Sequence, residues 1–288
     1  MPSLRQIRRR IRSVKGTAQI TKAMELVAAS KMRRAQMAVV AARPYSEKIR
    51  EVIADLAMQP NLGENGAIHP LLERRANIRR AGVLLITSDR GLAGGLNAAV
   101  IRTAMNFMLS QEVPVSTTVV GRKGRDWVLR YGREMRAEFI GLTDRPTYMD
   151  IVPVVRVLTE DYLSGYVDRV ELVYTRFVTT LTQQPVVQTL LPIEQPTGGR
   201  RNAEYIYEPS PKQVLEDLLP RFVEVQVYQA LLEAIASEQS ARMVAMRNAT
   251  DNANDIVDQL TLMYNQVRQA AITSELIDIA AGSGISVR

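Results

Sequence analysis

The chain has 288 residues, 46% of them hydrophobic and only 5% aromatic, a globular composition leaning towards helix, with room for one or two domains. It contains no cysteine, which excludes disulfides, thiol chemistry and Cys-ligated metal and fits a reducing compartment. The net charge of +7 is unevenly spread: residues 1–50 hold thirteen Lys/Arg against two Glu, and the rest of the chain is net acidic. A basic first arm and an acidic last arm favour pairing with each other.

The first arm, residues 1–58, reads as one long helix from about Ser3 to Met58. Leu4, Ile7, Ile11, Val14 and Ala18 keep 3–4 spacing, and the stripe then shifts to Ile20, Met24, Val27, Ala28, Met32, Ala35, Val39 and Ala42. Gly16 weakens this helix by about 1 kcal/mol, and Pro44 is expected to kink or divide it. The basic residues admit several readings: a solvated face, a nucleic-acid arm, a membrane-surface helix, or a surface turning inside an acidic partner. Residues 1–44 contain no aromatic to stack on bases, and the stripe lacks Trp and Phe. The start lacks the apolar core of a secretory signal, and no run approaches the eighteen apolar residues of a membrane span.

Residues 59–77 read as a loop holding the single histidine, His69, expected at the surface and without partners for a metal site. A change of period marks a central domain over residues 78–207. The run Gly82–Thr87 is a strand buried on both faces. Expected next are a helix near Asn97–Leu109, a strand at Val115–Val120, a helix near Arg125–Tyr131, a short strand at Glu138–Ile140 and a helix near Met149–Tyr166. Val170–Thr180 and Pro185–Ile193 then form a hairpin. Strands alternating with helices predict a small, three-layer, Rossmann-like α/β domain, mainly parallel with an antiparallel addition.

The last arm, residues 211–288, has neither Gly nor Pro from Arg221 to Ala281, a stretch of roughly 90 Å as helix. Its seam runs Leu215, Leu218, Phe222, Val225, Gln229, Leu232, Ala236, Gln239, Met243, Met246, Thr250, Ala253, Val257, Leu260, Tyr264, Val267 and Ala271. A 3.5-residue spacing marks a stripe that supercoils with a partner helix, and the two arms can pair antiparallel because both leave the same domain. The fold class expected is thus α/β, a long antiparallel coil of the terminal helices plus the small central domain, laid out as a rod with a foot.

Chemistry is sparse. The turn Ser88-Asp89-Arg90-Gly91-Leu92-Ala93-Gly94-Gly95-Leu96-Asn97 lies between strand and helix, where α/β folds bind ligands. It fits neither the P-loop nor the dinucleotide fingerprint. Tight turning and close helix packing are the plainer reading of its glycines. Gly121-Arg122-Lys123-Gly124-Arg125 reads as a solvated basic loop. Glu160-Asp161 and Glu216-Asp217 are sequence neighbours and point apart on a helix. No catalytic or metal constellation survives, and an interaction protein is expected. A coiled-coil adaptor and a basic-arm nucleic-acid binder remain alternatives at this point.

Several segments resemble one family. Ile20-Thr21-Lys22-Ala23-Met24-Glu25-Leu26-Val27-Ala28-Ala29-Ser30-Lys31-Met32, the turn Ile86–Asn97, Ser237–Asn252 and Tyr264–Leu276 are similar to the γ subunit family of F-type ATP synthases, whose members often carry Cys where this chain has Ala93. The resemblance implies a non-catalytic central-stalk rotor without cofactor, metal or bound nucleic acid. It implies partners in the α and β subunits of the F1 hexamer, an ε subunit and the membrane ring of c subunits, on the cytoplasmic face of a bacterial inner membrane. It assigns Lys22 and Met24, beside Arg242, and Arg268, Gln269, Thr273 and Glu275 to loops of the catalytic subunits. Tyr205, Tyr207 and Glu208 would lie near the membrane ring. Leu276, Ile277, Ile279, Ile285 and Val287 would form an apolar tip running in a bearing.

Overall fold

A computed structural model describes residues 3–57, 69–194 and 207–284. The elements are α1 (Leu4–Ala57), β1 (Ala81–Ile86), α2 (Leu96–Leu109), β2 (Val115–Val120), α3 (Arg122–Arg130), β3 (Met135–Phe139), α4 (Val152–Leu163), β4 (Arg169–Phe177), β5 (Gln183–Leu191) and α5 (Pro211–Gly284), with short 3-10 turns at Pro70–Leu72 and Tyr148–Asp150. The chain divides into two compact units, residues 29–242 and residues 1–28 with 243–288.

In the larger unit one five-stranded sheet has the order β3-β2-β1-β4-β5. The first four strands are parallel, and β4–β5 is an antiparallel hairpin. Every residue of β1 is buried because the strand is central and covered on both faces, which explains its unbroken apolar run. Val83 and Leu85 pack with Val100, Ala104 and Met108 of α2. Leu84 and Ile86 join the larger core, with Val155 and Leu158 of α4, Ile49, Ile53 and Leu56 of α1, and Leu219, Val223 and Val227 of α5. The terminal helices thus form part of the domain's own core. The predicted helix at 149–166 resolves into the 3-10 turn at Tyr148–Asp150 and then α4, with Pro153 in the first turn of α4. Neither Pro44 nor Pro220 divides its helix. Both are exposed, as are Val40 and Glu216 four residues earlier, so solvent can take the carbonyl that loses its donor.

In the smaller unit the ends of α1 and α5 run antiparallel. Arg8 Nη2 donates to Tyr264 Oη (2.6 Å), the hydroxyls of Thr21 and Thr250 meet at 2.7 Å, and Arg247 Nε donates to Glu25 (3.0 Å): ascending α1 means descending α5. The seam differs from its predicted course along α1. It does not run through Ile20 and Val27, which are exposed, but through Thr21 and Glu25, both buried, and then through the predicted Ala28, Ala35 and Val39. Two polar residues occupy core positions because each finds a partner across the seam, so hydrophobicity alone could not locate them. On α5 the predicted seam is buried at Met243, Met246, Thr250, Ala253 and Val257. Leu260, Tyr264, Val267 and Ala271 are only half-buried.

Candidate coupling surface and the glycine-rich turn

The glycine-rich turn is rigid because its polar groups are consumed internally. Ser88 N–H donates to Asn97 Oδ1, Asn97 Nδ2 donates back to Ser88 Oγ, and Ser88 Oγ donates to the Arg90 carbonyl. Thr87 Oγ1 accepts from Gly124 N–H at 2.8 Å. Gly121 sits at φ 97°, and a Cβ there would lie 2.1 Å from the Thr87 carbonyl oxygen, so this close approach of two turns requires glycine. Asp89 accepts from Arg122 N–H, at the start of α3, and from Gly141 N–H, both at 2.8 Å. A helix N-terminus beside a strand end is where such folds seat phosphate. Here the chain's own carboxylate takes that seat. The turn is therefore structural, in line with the plainer reading of its glycines.

Over this turn lies a crevice of about 550 Å³, walled by Asp89, Arg90, Arg122, Asp144 and, from α5, Leu231 and Glu238. Burial is the main cause that pushes the Glu238 carboxyl above its ordinary value, with Asp144 and Asp89 adding to it, while Arg242 opposes. Among the described residues no group of His, Asp or Glu is arranged to hold a metal ion. His69, expected on the surface, is half-buried: its Nδ1 accepts from Leu71 N–H and burial lowers its pKa.

The residues assigned to partner contact fall into three settings. Lys22 is exposed and donates to Glu25 at 3.0 Å, with Met24 half-buried in the next position but one. The Glu25 carboxyl is held below its ordinary value, first by the Lys22 hydrogen bond and further by Arg247, against the opposing effect of burial. Arg242 is 9% exposed, and its Nη2 donates to Glu238 (2.5 Å) and to the Gly91 carbonyl (3.2 Å). It is engaged inside its own unit, an engagement that the sequence concealed because Gly91 lies 151 positions away. Arg268, Gln269, Thr273 and Glu275 are exposed, Thr273 Oγ1 returning only to the Gln269 carbonyl. Leu276, Ile277 and Ile279 are 61–68% exposed. Tyr207 is half-buried and donates to Asp55 of α1 (2.9 Å), while Glu208 is exposed. Tyr205, Ile285 and Val287 lie outside the described residues.

The comparisons agree across nearly the whole chain. The ATP synthase family profile matches residues 3–284. The ATP synthase gamma chain of Dehalococcoides mccartyi is 57% identical over 286 residues, spanning 98% of this chain and 99% of that one. The chain belongs to the ATP synthase gamma chain family. The gamma chain of Herpetosiphon aurantiacus is 49% identical, with 98% of each chain covered. The fold agrees with chains in two structures of the Euglena gracilis mitochondrial ATP synthase. One, of the rotor, matches with a TM-score of 0.65 at 18% identity, covering 93% of this chain and 98% of that chain. The other, of the OSCP/F1/c-ring assembly, matches with a TM-score of 0.67 at 20% identity, covering 99% and 96%. As a gamma chain it is a non-catalytic rotor subunit of a rotary ATP synthase and a peripheral part of a membrane complex. No described helix is long and apolar enough to cross a membrane.

Proposed function

We propose that this gamma chain couples rotation to catalysis through the exposed end of α5 and the Lys22–Met24 segment of α1. They would present a different face to each catalytic subunit of an F1 hexamer in turn. A rotor that touches three otherwise equal subunits unequally biases their open and closed states one after another, a population shift driven by rotation. The observation carrying this reading is that no described residue of α5 beyond Val257 is buried, while Leu262, Ile272, Leu276, Ile277 and Ile279 are among those exposed. So much apolar surface on one helix suits a sleeve of surrounding protein. Arg268 and Gln269 would meet acidic and polar groups on loops of that sleeve. The central domain, with Tyr207 and Glu208, would stand on a ring of c subunits together with an ε-type subunit, in keeping with the rotor and the OSCP/F1/c-ring assembly to which the similar Euglena chains belong. The complex would lie on the cytoplasmic face of a bacterial inner membrane.

Capture of the tagged chain from detergent-solubilised source membranes tests this. One copy recovered with an ATPase hexamer and a small ring protein is expected. A homodimer, or bound nucleic acid without ATPase, would overturn the reading.

A further inference from the structure

Helix α5 is fastened to the sheet domain by two rows of polar contacts on opposite sides of the helix. In the first row Tyr148 bonds Glu224, Tyr228 Oη donates to the Pro146 carbonyl (3.2 Å), and Arg242, paired with Glu238, donates to the Gly91 carbonyl (3.2 Å). In the second, Gln188 Nε2 donates to Gln226 Oε1 (3.3 Å), Ser237 Oγ to the Thr175 carbonyl (3.2 Å) and Ser240 Oγ to the Thr180 carbonyl (2.5 Å). At about 100° per residue, Glu224, Tyr228, Glu238 and Arg242 fall within about 40° of one line along the helix, and Gln226, Ser237 and Ser240 within about 40° of the opposite line. The first row grips loops that follow β1 and β3, and the second grips the β4–β5 hairpin. Between them on the helical wheel lie Val223, Val227, Ala230 and Ala234, with Leu231 on the line of the first row. Leu231 and Ala234 line one small cavity with Ile86 of β1 and Thr175 of β4.

These contacts differ mechanically from the apolar stripe they flank. Apolar burial is non-directional and resists separation more than sliding. Hydrogen bonds weaken steeply as their angle departs from linear, so they resist a turn of the helix about its own axis. Rows on opposite sides are strained together by a turn in either direction. We infer that these rows, and not the apolar core between them, carry twist between the sheet domain and α5. This makes Ser237, Ser240, Tyr148 and Tyr228 positioning residues for torque transmission. The inference rests on the rotor function of the family.

Torsional stiffness tests it directly. The chain has no cysteine, so Leu109→Cys, at an exposed position on α2, gives a single attachment point for a bead on the sheet domain of the assembled ATPase sector. With the catalytic subunits locked by a non-hydrolysable ATP analogue, the angular variance of the bead reports stiffness. Weakening one row with Ser237→Ala and Ser240→Ala, which leave only its Gln188–Gln226 bond, or the other with Tyr148→Phe and Tyr228→Phe, is expected to raise the variance by up to about twofold, since two sets of directional bonds share one load. The combined variant is expected to exceed either. Val227→Ala, in the stripe, should lower the melting temperature of the isolated chain and leave the variance unchanged. Unchanged variance in both polar-row variants would overturn the inference, as would a rise with Val227→Ala as large as theirs. A bead on the otherwise unsubstituted chain that fails to rotate under ATP would overturn the rotor reading instead.

Discussion

From Phe222 to Arg242, helix α5 has no exposed residue. Beyond Val257 it has no buried one among those described. The first stretch is walled by a sheet and other helices, and it tolerates Glu233 and Gln239 in its interior. The second has one helix to lie against and leaves most of its circumference uncovered. One long helix thus passes through two solvents. The difference teaches that its seam sequence, similar throughout, reports spacing, while the neighbours decide burial.

The largest effects should come from the walled region. Gly121→Ala combines a left-handed backbone with a clash against the Thr87 carbonyl. It is expected to cost at least about 3 kcal/mol by denaturant unfolding of the isolated chain. Leu84→Ala in β1 should cost roughly 2–5 kcal/mol by the same measurement. If Val257→Ala in the outer pair cost as much, the contrast between the regions would fail.

The outer pair should instead respond to its polar seam. Thr21→Val alone leaves the Thr250 hydroxyl without its cross-seam partner and is expected to cost about 1 kcal/mol, whereas Thr21→Val with Thr250→Val should be nearly neutral. A double-mutant cycle on helix melting gives the coupling directly, and a cycle showing simple additivity would refute the pairing.

Acidity sharpens the contrast because two buried carboxyls shift in opposite directions. Burial raises the Glu233 carboxyl, against the opposing effects of Gln229 and Arg176, and its Oε2 has no partner. Its folded pKa exceeds its unfolded one, so its ionisation penalises the fold as pH rises through that interval. Glu233→Gln should therefore raise the melting temperature at pH 8 and change nothing in acid below the ordinary carboxylate range. Glu25 is held low by Lys22 and Arg247. Its contribution is present above the ordinary carboxylate value and fades as pH falls through the depressed one. Glu25→Gln should lower the melting temperature at pH 8 and lose that effect in acid. Identical pH profiles for the two variants would contradict both assignments.

The smallest effects belong to the exposed end. Arg268→Ala should change stability by less than about 0.5 kcal/mol while impairing ATP-driven proton pumping or assembly, measured in membrane vesicles. Unimpaired pumping and assembly would remove Arg268 from the proposed contact set.

Much of this was legible in the sequence because period is a local property. The buried run of β1, the α5 seam and the β4–β5 hairpin follow from spacing and turn residues alone. The partnerships that decide which polar residues are buried were not local. Thr21 and Glu25 looked like surface residues of a basic arm, and their burial depends on Thr250 and Arg247 more than two hundred positions away. Arg242 looked like a free cation for a partner, yet the Gly91 carbonyl holds it. Arg268 and the apolar residues Leu276, Ile277 and Ile279 were readable as candidates, and among the described residues they stand exposed.

Asp89 has a wider consequence. The backbone N–H groups that this class of sheet ordinarily offers to small anions are taken by a side chain of the neighbouring loop. The turns are thereby set by hydrogen bonds within the chain instead of by whatever anion is abundant. For a machine part that must deliver the same angle at every step, that constancy is an advantage: the strands β1 and β3 are cross-braced whether the surrounding fluid is rich or poor in phosphate.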